Sequence, residues 1–197
     1  MGRKLVAGVL GGFAFFLWSF IAHMLLPLGQ TGVKEIATEE PVIAAMRANI
    51  PEHGLYIFPG MHLTANATRD QQNASMQQHF DKVAHSPSGM LIYHPSRPAN
   101  FGVMLLTELV TNIIQVLIAV LLLGQTRITS FAGRWRFITL AGILAAISTN
   151  VSYWNWYGFP GNYTLAYTLT IAMGFVCAGL VAAALVKPNP TALAARA

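Results

Sequence analysis

The chain has 197 residues, of which 54% are hydrophobic and 10% charged, and it carries a net charge of +5. That length accommodates one compact helical unit with one sizeable loop and excludes a second large domain. The basic balance does not point to nucleic acid, because the basic residues sort around four apolar runs in the way that membrane topology sorts them.

The first run, Leu5–Leu28, follows Arg3 and Lys4. Crossing the hydrocarbon takes about 20 mostly apolar residues in helix. The run is longer than the about 7–15 residues of a secretory h-region, and it continues through Phe20, Ile21, Met24 and Leu25, so a retained anchor is expected over residues 1–28. Gly8, Gly12, Phe15, Ser19 and His23 fall on one arc of this helix, and Gly8-xxx-Gly12 permits close helix approach.

Residues 29–102 form the long loop, with five basic and six acidic residues. Thr38-Glu39-Glu40-Pro41 predicts a capped helix start, with Val42, Ala45 and Met46 on one face and an end near Ile50-Pro51. A second helix is predicted from about Thr68 to His85, with Met76, Phe80, Val83 and Ala84 as its apolar face before Ser86-Pro87. These amphipathic helices have two places to go, onto each other or onto the membrane surface. Gly54-Leu55-Tyr56-Ile57-Phe58-Pro59 and Gly89-Met90-Leu91-Ile92-Tyr93-His94-Pro95 are two β-favouring runs bounded by Gly and Pro, expected to pair because a lone strand leaves its backbone unsatisfied.

The loop also holds five of the six histidines and Met46, Met61, Met76 and Met90. Imidazole and thioether ligands suit copper. His62, His79, His94, Met61, Met76 and Met90 are therefore weak metal candidates, but no two histidines have the spacing of a metal motif, and surface histidines with core methionines explain the pattern better. No metal and no specific cofactor is assigned.

The second run, Val103–Gln125 (residues 103–125), contains Glu108, the one charged side chain in the four apolar runs. Glu108, Asn112 and Gln115 share a stripe at i, i+4 and i+7, with Thr111 beside it, and such groups face a bundle interior more cheaply than lipid. Residues 126–136 are a connector with Arg127, Arg134 and Arg136 and no acidic residue. The third run, residues 137–157, ends in Tyr153-Trp154-Asn155-Trp156-Tyr157, an interfacial aromatic belt. Ala141, Ala145, Ser148, Ser152 and Asn155 are its expected inward stripe.

A short turn, residues 158–162, leads to the fourth run, residues 163–186, whose expected inward face is Tyr163, Tyr167, Thr170, Gly174 and Ala178. Cys177, the single cysteine, lies in this run as a small packing residue, so no intramolecular disulfide forms. The tail, residues 187–197, adds Lys187 and Arg196. Seven basic and no acidic residues thus flank the runs on one side, which predicts cytoplasmic termini and an extracytoplasmic loop.

The expected fold is an all-α membrane protein, a four-transmembrane-helix bundle with a small extracytoplasmic α+β cap. Taking Leu28 and Val103 as the outer boundary puts His23 and Glu108 at one level, roughly 7–8 Å inside the hydrocarbon. Ser152 and Tyr167 reach nearly that level. His23, Glu108 and Tyr167 are therefore the candidate catalytic residues, and Asn112, Gln115, Ser152, Asn155, Trp154 and Trp156 the candidate ligand contacts. The cluster reads first as a structural clasp, since membrane bundles commonly satisfy polar residues this way, and after that as a proton relay or part of a pocket for a quinone-like or lipid headgroup.

Gly11-Gly12, Trp18, His23, Leu26-Pro27-Leu28-Gly29 and Gly54-Leu55-Tyr56-Ile57-Phe58-Pro59-Gly60 resemble a loosely defined set of uncharacterised bacterial membrane proteins. The resemblance implies a bacterial inner-membrane, multi-pass protein and carries no activity. Three functions stay open: an accessory or interaction protein, with the lipid bilayer and another membrane protein or a second copy as partners and no nucleic acid; a membrane-embedded enzyme or redox protein using His23 and Glu108 on a lipophilic substrate; and a small transporter, the weakest because no polar path crosses the second half of the spans.

Overall fold

A computed structural model describes residues 2–186, and Lys187 and Arg196 lie outside them. In chain order the elements are α1 (Gly2–Phe20), a π turn (Ile21–Leu25), a 3-10 turn (Pro27–Gly29), α2 (Glu39–Asn49), β1 (Gly54–Phe58), α3 (Arg69–His85), β2 (Gly89–Tyr93), α4 (Phe101–Leu123), α5 (Phe131–Tyr157) and α6 (Gly161–Leu185). Four helical segments, Gly2–Leu25, α4, α5 and α6, are long and apolar enough to cross a membrane. The chain divides into two units, Met1–Lys34 with Asn100–Ala197, and Glu35–Ala99.

In the first unit α1 packs against both α4 and α6, and α5 packs against α6. Contact between α4 and α5 or α6 is sparse, so the bundle is an open row, α4–α1–α6–α5. The spans of α1 and α6 have 39% of their residues buried against 22% in those of α4 and α5, which identifies the inner and outer pairs. Glycines set the spacing. A methyl group at Gly12 would stand 2.7 Å from the amide nitrogen of Ile113, so α1 and α4 meet backbone to backbone there. Gly174 leaves room for the Phe15 ring, which meets Phe175 edge to face at 5.0 Å, and Gly142 leaves room for Phe175.

That last contact rotates α5 away from its expected orientation. Its buried face is Arg134, Ile138, Gly142, Ala146 and Asn150, whereas Ala145, Ser148, Ser152 and Asn155 are exposed. Ser148 and Ser152 donate to carbonyls of their own helix, Ala145 and Ser148, both at 3.1 Å, so they have no need of an inward face. A Phe175 ring seated on a glycine outweighs two hydroxyls that satisfy themselves.

Arg134 is buried rather than a solvated flank. Its guanidinium donates to the Ala183 carbonyl at 3.2 and 3.0 Å and to that of Thr129, and Arg3 reaches the Leu185 carbonyl at 3.4 Å. These cations serve the last, otherwise unpaired carbonyls of α6. Trp135, beside Arg134, donates to the Val176 carbonyl at 3.3 Å.

In the second unit β1 and β2 pair, as their need to satisfy the backbone predicts, and they do so antiparallel, with Gly54 opposite Tyr93 and Phe58 opposite Gly89. Helix α3 opens with a capping box: the Thr68 hydroxyl accepts from the Gln71 amide at 3.3 Å and the Gln71 side chain accepts from the Thr68 amide at 2.9 Å. Thr38 makes no such bond at the start of α2, where Glu39 and Glu40 in the first turn and Arg47 in the last complement the helix dipole instead. The two helices do not pack extensively on each other, and Met76, Phe80 and Val83 stay exposed.

Candidate functional site

The polar end of the bundle is built where α1 changes pitch. From Ile21 the backbone bonds lengthen to i→i+5, with the Leu26 amide donating to the Ile21 carbonyl at 2.9 Å. Single π turns inside α-helices recur at functional sites. This one carries His23, whose Nδ1 lies 2.9 Å from the Ser19 carbonyl. A carbonyl only accepts, so Nδ1 carries a proton, and Nε2 is the ring nitrogen left for a second partner. The ring also lies over Gly29, where a methyl group would come within 2.6 Å of His23 Cδ2. The chain must therefore have glycine there to fold back past the imidazole.

One neighbouring helix meets the His23 ring directly, and a second carries the acidic residue of this end. From α6, Tyr167 meets His23 edge to face, with ring centres 6.5 Å apart and planes at 86°. From α4, Glu108 accepts from the Asn112 side-chain amide at 3.2 Å. Asn112 is buried, Gln115 half-buried and Glu108 exposed, so the α4 stripe runs from the interior out to the edge of the row. His23 and Tyr167 are exposed as well.

An aromatic ladder continues from Tyr167. It stacks on Tyr163 at 5.6 Å, Tyr163 meets Phe159 at 5.6 Å, Phe159 stacks on Tyr153 at 5.4 Å, and Tyr153 meets Tyr157 at 5.8 Å. The turn at Gly32, with φ of +81°, presses against Tyr163 and holds the head of this ladder. Each pair adds about 0.5–1.5 kcal/mol beyond area burial, so the ladder ties the start of α6 to the end of α5.

Ser152 and Asn155 stand on the exposed side of α5 and make no contact with the His23 group through hydrogen bonds among the described residues. Trp154 and Trp156 are exposed, Trp156 by 78%. Two polar residues of the interior were not read from the sequence as site residues: Asn150, which donates to the Ala146 carbonyl at 2.8 Å, and Ser19, whose carbonyl receives His23. The signal for Asn150 was its i, i+4 spacing from Gly142 and Ala146. Thr170 is buried, its hydroxyl donating to Ala166 and its carbonyl accepting from Trp18 at 2.9 Å.

The histidines and methionines of the second unit do not gather into a conventional metal site. Among the described residues no three His, Cys, Asp or Glu side chains are placed to hold one ion. Met61 and Met76 are exposed, His62 sits at φ 49°, and Met90 is on β2 opposite Ile57. His94 stands beside His53, at the end of the hairpin.

Compared with protein-family models, with curated proteins and with solved structures, the chain matches none.

Proposed function

We propose that this chain is a multi-pass accessory protein of the bacterial cytoplasmic membrane, with cytoplasmic termini, that works by binding another membrane protein along the open side of its helix row. The observation that carries this reading is Glu108, an exposed carboxylate in an apolar helix, bonded among the described residues to Asn112 alone. A charge at the middle of a bilayer costs about 2.5–3.5 kcal/mol on insertion scales and less toward the boundary, where Glu108 stands, and a partner helix offering a cation or a donor removes that cost. The thinly covered α4 and α5 supply the surrounding apolar surface.

Cysteine placed at Leu106 or Thr111 in a Cys177→Ser background, cross-linked in native membranes, tests it. Capture of a different membrane protein, weakened by Glu108→Leu, is the expected result. A product made only of two copies of this chain would make the partner a second copy, and no product from either position would overturn the reading. Orientation has its own test: a cysteine at Gln72 should label from outside intact cells and one at Ser130 should not.

A second reading is favoured by the His23 turn. An imidazole with its Nε2 left for a second partner, beside a phenol and a carboxylate, can exchange protons with a quinone-like or lipid molecule arriving laterally. It predicts a co-purifying lipophilic molecule and a Glu108→Gln variant that folds but is inactive, because an amide keeps the hydrogen bonding and cannot carry the proton. Transport through one copy is disfavoured by the sealed half of the bundle, where Val116, Val120, Leu123, Ile138, Ala178 and Ala182 are buried together.

A further inference from the structure

The register of the hairpin brings together two residues that lie 41 positions apart in the chain. Gly54 and Tyr93 are the last paired residues of β1 and β2, so His53 and His94 come next on the two strands, facing each other one step beyond the ladder. Opposed residues of an antiparallel pair project from the same face with Cα atoms about 4.5–5.5 Å apart. The imidazoles accordingly lie side by side, with ring centres 6.3 Å apart and planes within 5° of parallel.

Both are exposed, and they line an open recess of about 580 Å³ together with Pro51, Glu52, Pro95 and Ser96. The two prolines fix their own φ angles on either side of the histidines and limit how far the strand ends can splay. The Tyr56 hydroxyl donates to the Glu52 carbonyl at 3.0 Å, which ties down the segment leading into His53.

We propose that His53 and His94 together bind a divalent first-row metal ion of the imidazole-preferring class, with Cu2+ held more tightly than Zn2+. Two imidazoles sharing one ion, each with a metal–nitrogen bond of about 2.0–2.1 Å, have ring centres from about 4.5 Å apart when cis to about 6.4 Å when trans, so rings 6.3 Å apart reach one ion once they turn toward it. Both side chains are exposed, so their rings can turn toward a shared ion, and water fills the remaining positions from the open recess. The order Cu2+ over Zn2+ follows from the general preference of nitrogen donors. The soft methionines are not part of the site: Met90 lies four positions down β2 from His94, opposite Ile57.

The experiment is a calorimetric titration of CuCl2 and ZnCl2 into the detergent-solubilised full chain, purified without a polyhistidine tag, with electron paramagnetic resonance of the Cu2+ form. The site predicts one tight equivalent, a dissociation constant raised at least tenfold by either His53→Ala or His94→Ala, and no change in His85→Ala. Two coordinated imidazole nitrogens should be seen in the parent chain and at most one in each single variant. Both variants alter exposed side chains, and an unchanged circular dichroism spectrum with unchanged thermal midpoint confirms that the fold survives. Titration curves of His53→Ala or His94→Ala that overlay the parent, or a loss in His85→Ala of the same size, would overturn the proposal.

Discussion

The two ends of the helix row use similar apolar helices to opposite effect. At the end nearer the α4–α5 connection, Val116, Ala119, Val120, Leu123, Ile138, Ala178 and Ala182 are buried with Ala7 and Phe15, and the polar group present, Arg134, is fully engaged with backbone carbonyls. At the end nearer the α5–α6 turn, His23, Glu108, Tyr167, Ser152 and Asn155 are exposed. The difference lies in residue size at the crossings. Gly8, Gly11 and Gly12 on α1, with Ala178 and Ala182 on α6, let three helices touch, while the same helices farther along carry the rings of Tyr163, Tyr167 and His23. One end is closely packed and the other exposed.

The largest expected effect breaks the packed end. Gly12→Val drives a branched side chain into the Ile113 backbone, which cannot yield as a side chain could, and should cost about 3 kcal/mol, at the upper end of ordinary overpacking. The thermal midpoint in detergent reads it. The same change at Gly158, where nothing lies within 4 Å but φ is +69°, would act through backbone strain alone, without separating helices.

Next comes Arg134→Met, which keeps most of the volume and removes the donors to Ala183 and Thr129. Each orphaned buried acceptor costs about 1–3 kcal/mol, so a loss of about 2 kcal/mol is expected, with Arg134→Lys falling between. Urea or thermal unfolding of the three forms side by side would show it. Equal midpoints for Arg134→Met and the parent would mean that the carbonyls are served by water and that the packed end is looser than its burial indicates.

A smaller effect is expected at the open end. Glu108→Leu leaves the Asn112 amide without its acceptor and should cost about 1 kcal/mol, whereas Glu108→Gln retains an acceptor and should cost nothing measurable in the isolated chain. A loss of about 3 kcal/mol or more from Glu108→Leu would show a buried, fully clasped carboxylate and erase the contrast between the two ends. The smallest effect belongs to Ser152→Ala. An exposed hydroxyl that bonds its own helix should change stability by no more than about 0.5 kcal/mol, while Ala146→Ser, on the buried side of α5, should cost more.

Helical periodicity located part of the inward faces. On α1, Gly8, Gly12, Phe15 and Ser19 are buried but His23 is exposed, and on α6 Thr170, Gly174 and Ala178 are buried while Tyr163 is half-buried and Tyr167 exposed. On α5 the two cues part: the polar stripe Ser148–Ser152–Asn155 is the more conspicuous in sequence, but the glycine stripe is the one that packs. Glycine at 142 gains meaning only when Phe175 of another helix is known to need the space. Depth counting at 1.5 Å per residue placed His23, Tyr167 and Glu108 at one level, but it could not see that a π turn redirects His23 toward Ser19 or that Ser152 points away. The paired His53 and His94 were equally hidden, since 41 residues separate them and only strand register makes them neighbours.

By itself the amino-acid sequence determined four apolar helices, the two loop helices and the two β runs that pair, because these depend on residue spacing within a few turns or strands of chain. Tertiary structure alone decided that the helices form an open row, that Arg134 is buried at the foot of α6, and that Glu108 lies at an exposed edge. The physical reason is that a helix's own pattern records which faces are tolerable in an apolar surrounding. Which of them is covered is settled by the shapes of its neighbours, and shape complementarity between distant segments leaves no local trace.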